Sequence, residues 1–256
     1  MGLILIAGLC VLAVTFYSEA PELPRSAPAM ASGTPVPTAS DSTAPTPSGS
    51  PSPTTAQTST GATTSTNAKL PKGPGTTQPG ILLIASPLPD GSFDVAEIVL
   101  LSTPISSLRL GPPRLTQAGR RFSEAKPVAS QVQVSAGDQP VTVPGGRVRQ
   151  RVDLALTTPA TRIELRYNLS GITVRSVPSL AGRALTAISP LVEGVPKTFQ
   201  VAMLVSGSTV LNIECPILRL REQSCSAGRA PNLRVKRNLP WNGAVIVVQF
   251  DLPKPQ

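Results

Sequence analysis

Arg147, Arg149 and Arg151 stand at every second position of one short stretch. On an extended backbone that spacing turns three guanidinium groups toward one face. A guanidinium is always charged and presents a planar fork of donors, which carboxylates and phosphates accept well. These three residues are therefore the candidate anion-binding set. Cys215 and Cys225 are the only cysteines besides Cys10. Two thiols without a histidine are too few for a metal centre, and their spacing is not the Cys-x-x-Cys of a redox pair. A structural disulfide is expected instead. Closing such a loop stabilises a chain by roughly 3 kcal/mol.

The acidic residues offer less chemistry. Asp90, Asp94 and Glu97 form the closest group. Asp94 and Glu97 are three apart, which on a strand puts them on opposite faces and not in a catalytic pair. The chain contains no histidine. That removes the serine and cysteine triads, histidine-bound metals and the commonest general base. Phosphate-binding glycine loops, dinucleotide fingerprints and the G-x-S-x-G nucleophile elbow are missing as well. The expectation is a non-catalytic protein with no cofactor and no metal. No Lys/Arg run is interleaved with aromatics, so nucleic acid is not an expected partner.

These residues sit in a chain of three regions. Residues 1–18 carry no charge and include Leu3-Ile4-Leu5-Ile6 and Val11-Leu12-Ala13-Val14. They read as a signal-anchor or a signal peptide. The first gives a single-pass membrane protein with the rest of the chain outside. The second gives a secreted protein cut near Ser18-Glu19-Ala20. Lipidation at Cys10 is disfavoured, because Leu9 stands where a small residue is needed. Residues 19–79 form a Pro/Ser/Thr-rich spacer. Of residues 21–79, 12 are Pro, 9 Ser and 13 Thr, with very few large apolar side chains. Such a segment cannot bury enough surface to offset the entropy of ordering, so disorder with polyproline character is expected. Its reach is roughly 40 Å as a flexible coil and ~180 Å when extended.

Residues 80–256 form the folded domain, expected outside the cytoplasm. They hold 20 Lys/Arg against 11 Asp/Glu, so the whole formal charge of +9 resides there. A basic domain on a neutral stalk favours anionic surroundings. Short runs alternate apolar and polar residues between Gly/Pro turns, with no amphipathic helix of ten residues or more. The predicted class is all-β, an antiparallel β-sandwich of Ig-like or related type. Strands are expected at Ile81–Ala85, Phe93–Leu101, Ile105–Leu110, Arg183–Ser189, Lys197–Val205, Thr209–Cys215, Ile217–Arg221 and Ala244–Leu252. Trp241 is expected to plug one end of the core.

One stretch ties the arginines to the fold. Arg147 to Ser170 alternates on both sides of Thr158-Pro159-Ala160, which reads as a hairpin. That register pairs Leu156 with Ile163, Leu154 with Leu165 and Val152 with Tyr167. It also sets Asp153 opposite Arg166 and leaves Arg147, Arg149 and Arg151 without carboxylate partners inside the hairpin. Together these features point to a membrane-anchored or secreted cell-envelope protein. Its basic domain is expected to meet an anionic wall polymer or membrane surface. The alternative is a protein-interaction module, an extracytoplasmic accessory subunit of a membrane complex, docking through apolar edge strands such as Ala244–Leu252. The Arg-over-Lys bias and the abundance of Ala and Pro match a high-GC, actinobacterial-like source.

Overall fold

The computed structural model describes residues 70–175 and 182–252. The apolar segment at 1–18 and most of the spacer lie outside the described residues. Alternating runs become strands: β1 (Gly80–Pro87), β2 (Phe93–Leu110), β3 (Val128–Ala136), β4 (Gln139–Val141), β5 (Arg147–Val148), β6 (Val152–Ser170), β7 (Thr173–Arg175), β8 (Arg183–Ile188), β9 (Val192–Glu193), β10 (Gln200–Ser206), β11 (Val210–Glu214), β12 (Ser226–Arg229), β13 (Asn232–Val235), β14 (Leu239–Pro240) and β15 (Ile246–Asp251). Among the described residues only short 3-10 turns interrupt them, for example Leu115–Ala118 in the loop before β3.

The strands form two sheets, as the all-β sandwich class requires. The larger runs β12-β13-β10-β1-β2-β6-β3-β4, with β14 beside β10, β9 beside β2 and β5 beside β3. The smaller runs β11-β15-β8-β7. Phe93 of the larger sheet meets Phe250 of the smaller one edge to face, with ring centroids 5.3 Å apart. Ile163, Leu165, Leu169, Ile188 and Val248 belong to the same buried cluster. One strand pair departs from the antiparallel expectation. β1 and β10 run parallel, from Ile81 beside Val201 to Ala85 beside Val205. Both are near-continuous apolar runs, the composition of strands covered on both faces.

Part of that cover comes from residues that composition grouped with the spacer. Residues 71–79 fold into a tight turn against β1. Gly75 lies on the outer side of the sheet, so close that a Cβ there would run into the backbone of Leu82 and Ile98. Leu82 and Ile98 are buried in consequence.

The expected hairpin does not form. β6 is one continuous strand of 19 residues, antiparallel to β2 along almost its whole length. Leu154 pairs with Leu108, not Leu165, and Asp153 pairs with Arg109, not Arg166. The alternation was real, but its interruption has another cause. The ladder loosens between Leu100 and Ile105 of β2, and again between Ile105 and Ser107. Both strands bulge there, and the buried positions change parity in both. They are odd at Val95, Val99, Ile163 and Leu165, and even at Leu108, Leu110, Leu154 and Leu156. Pro104 and Pro159 sit in this loosened part, where no ladder donor is lost.

Two further expectations change, and the strand expected at Thr209–Cys215 is irregular. Ala244–Leu252 is not an edge, because β15 lies between β11 and β8. Ile217–Arg221 is not a strand; it belongs to a turn that ends in a 3-10 helix at Leu220–Glu222. Leu211 does not share a buried face with Ile213 and Cys215. A bulge between Val210 and Asn212 leaves it 43% exposed. Cys215 and Cys225 are joined in a disulfide, with their Cα atoms 5.9 Å apart.

Candidate functional site

The three arginines meet where the chain leaves β5 and enters β6. Gly145 and Gly146 precede them, both with positive φ (63° and 61°), a turn that glycine takes without a Cβ clash. Val148 is then driven into the core. Its neighbours Arg147 and Arg149 must point outward, and both are exposed. β5 is pinned to β3 by the pairing of Arg147 with Ser130. All three arginines line one open concavity of about 720 Å³, together with Pro144, Gln150 and Val152. All three reach this concavity through a strand start and a bend, not through a hairpin.

Their partners differ. Arg151 Nε donates to Glu193 Oε2 at 2.6 Å, in a contact 42 residues apart in sequence. Arg109 Nε donates to Asp153 Oδ1, also at 2.6 Å. Asp153, with a smaller contribution from Glu193, holds the Arg109 guanidinium above its ordinary pKa. These four groups balance each other. Arg147 and Arg149 have no carboxylate partner among the described residues.

Beneath Glu193 lies a buried group that sequence reasoning placed on a strand face without reading its role. Glu97 of β2 is fully buried. Its Oε2 accepts from Leu191 N at 3.0 Å and from the Tyr167 hydroxyl at 3.3 Å, and its Oε1 accepts from Val192 N at 3.2 Å. Burial outweighs these bonds and pushes its pKa up to about 7. The Tyr167 hydroxyl is itself driven up by burial and by the neighbouring carboxylate. Asp94 is exposed, so the two carboxylates do face opposite ways. The only sequence signal for Glu97 was an acid inside a run of Val, Ile and Leu.

Glu97 fixes Leu191 and Val192, and Glu193 follows directly. The same loop is gripped from the other side. Trp241 Nε1 donates to Val192 O at 2.9 Å. Arg114 lies over the Trp241 ring, 4.2 Å from its centroid, and donates to Trp241 O at 2.7 Å. Burial lowers the Arg114 pKa, while Glu193 and Glu97 counter that. Trp241 therefore packs at the end of the core, and it also braces the loop that carries the partner of Arg151. Among the described residues no group of three or more His, Cys, Asp or Glu is placed to hold a metal ion. Among them also no helix is long and apolar enough to cross a membrane.

No family model matches the chain, and no curated protein matches it. Solved structures similar to part of it include an aminopeptidase N family protein from Idiomarina loihiensis. That match has 12% identity and a TM-score of 0.39, over 67% of this chain and 29% of the other. An M1 zinc metallopeptidase from Deinococcus radiodurans has 16% identity and a TM-score of 0.34, over 68% of this chain and 42% of the other. The chain spans less than half the length of either protein. Likeness of this degree transfers no site residue.

Proposed function

We propose that this chain is a non-catalytic protein of the cell envelope whose basic β domain grips an anionic wall polymer or lipid surface. In this reading the amino-terminal segment anchors or exports it, and the spacer carries the domain away from the membrane. The observation that supports it best is the pair Arg147 and Arg149. Both are exposed in one concavity with Arg151, and neither has a carboxylate partner among the described residues. An unpaired guanidinium on an open surface retains its charge for an external oxyanion. The absence of histidine from the sequence supports the non-catalytic side of the reading.

The test is sedimentation of the full chain with vesicles of anionic lipid, and with beads carrying an anionic wall polymer. The wild type is expected to bind at least one of them, and neutral vesicles not at all. The double variant Arg147→Glu/Arg149→Glu should lose about tenfold or more in affinity. Undiminished binding by that variant refutes the site. A second reading, docking to a membrane protein, has support from one side chain. Leu220, inside the disulfide loop, is 86% exposed.

A further inference from the structure

On the outer face of the larger sheet a shallow groove of about 340 Å³ crosses β1, β2, β6 and β3. Its floor comes from register. Ser86, Asp94 and Asn168 are partners across three strands, and Ile84, Ala96 and Arg166 make the next row. We propose that this groove is a binding site for a neutral carbohydrate chain.

Charge is the first argument. Asp94 and Arg166 both line the groove, and neither forms an ion pair among the described residues. Their charges cancel. A polyanion would meet the Asp94 carboxylate directly, which separates this groove from the arginine concavity. A carbohydrate hydroxyl both donates and accepts. It is best served by a site offering an acceptor-only group and a donor-only group within reach of one ring, and Asp94 and Arg166 are diagonal neighbours across β2 and β6.

Pre-organisation is the second. Asn168 Nδ2 donates to Ser92 Oγ at 3.2 Å, and Ser92 Oγ donates to Asp90 Oδ1 at 2.6 Å. That chain fixes the Asn168 amide and leaves its oxygen as the acceptor on offer. Burying the apolar C–H face of a sugar ring needs a small apolar floor, which Ile84 and Ala96 supply.

The third is a bulge. β3 carries one extra residue between Ser130 and Gln133, opposite Asn168 and Arg166. Gln131 takes φ 54° there, the one described non-glycine residue with positive φ. The conformation is unfavourable for a side-chain-bearing residue, and glycine would adopt it freely. What it achieves is to bring the Gln131 amide, along with that of Gln133, to the rim of the groove. Bulges that re-aim side chains in this way recur beside functional sites.

The test uses the full chain on an array of neutral oligosaccharides of malto-, manno-, galacto- and chito- series beside acidic ones. Binding is read at about 0.15 M and about 0.5 M NaCl. At least one neutral series should be bound at both salt levels. Asp94→Ala and Gln131→Gly should each weaken that binding about tenfold or more. Gln131→Gly should at the same time melt at the same or a higher temperature, which a purely structural role for Gln131 does not predict. The variant Arg147→Glu/Arg149→Glu should bind the neutral series as the wild type does, so this site and the arginine site stand or fall separately. Capture of acidic glycans only, loss of binding at the higher salt, no binding to any neutral series, or wild-type binding by both groove variants would each overturn the proposal.

Discussion

Glu97 has no route to water, and its pKa stands near 7 against an ordinary value of 4.5. The sign of the consequence follows from proton counting. Between those two values the folded chain holds the proton and the unfolded chain releases it. Stability from this group is therefore fully present below about pH 4.5 and is lost as pH rises through about 7. The size is about 3 kcal/mol. Equilibrium denaturation at pH 5 and pH 7.5 should show this fall, and Glu97→Gln should flatten it. The two backbone N–H groups donate to different carboxyl oxygens, so the amide NH2 would face one of them, and that variant should also be weaker by ~1–3 kcal/mol at pH 5. A wild type equally stable at both pH values contradicts the account. The exposed pair Arg109–Asp153 is a contrast: its side chains are 49% and 61% exposed. Asp153→Ala should cost at most about 1 kcal/mol in the same assay. Much of this was hidden in the sequence. An acid among Val, Ile and Leu says that the position is unusual, but not which backbone groups arrive to meet it. Arg151 and Glu193 are equally unreadable as partners, since their contact depends on β9 pairing with β2. The cysteines could be paired because no third candidate existed outside the apolar segment.

At the scale of elements, the long pair β2–β6 and the turn at 71–79 carry the most information. The alternation in Val152–Ser170 was legible, and so was its interruption at Pro159. What the sequence could not supply was the distinction between a turn and a matched pair of bulges. Both interrupt a period of two, and both tolerate proline. The partner strand decides: β2 has its own interruption at Pro104, in step with that of β6. The turn at 71–79 was missed for a compositional reason. Its Pro, Gly and Thr resemble the spacer, yet small residues are what a backbone needs to lie directly on a sheet. Gly75→Ala should push this turn off β1, expose Leu82 and Ile98, and cost ~1–3 kcal/mol in thermal or chemical unfolding. A neutral effect would show that the turn does not seal the sheet. The disulfide staples the end of β11 to the start of β12. Cys215→Ser/Cys225→Ser should lose about 3 kcal/mol, or roughly 6–12 °C of melting temperature. An unchanged melting temperature would mean that the loop is held by its other contacts.

For the whole molecule, the proposed binding rests on the excess positive charge of the folded region. Most ion pairs of the domain are surface pairs, and they consume arginines in matched sets with Asp and Glu. Arg147 and Arg149 are among the arginines in none of these ion pairs, and they stand together beside a concavity; the legible part of the candidate site was this spacing. The position of Glu193 was not, and it alters the ranking of the three. Arg151 is already engaged, so Arg151→Ala should weaken polymer or vesicle binding less than Arg147→Ala or Arg149→Ala. The most direct measurement is the affinity of the full chain as a function of salt for anionic vesicles and for the anionic wall polymer, read on whichever it binds, with Arg147→Ala/Arg149→Ala alongside. Screening shortens from about 30 Å at low salt to about 3 Å at high salt. The wild-type affinity should fall steeply over that range, and the variant should start weaker and fall less. Salt-independent binding, identical in the two proteins, would contradict the claim that these arginines hold an anionic surface.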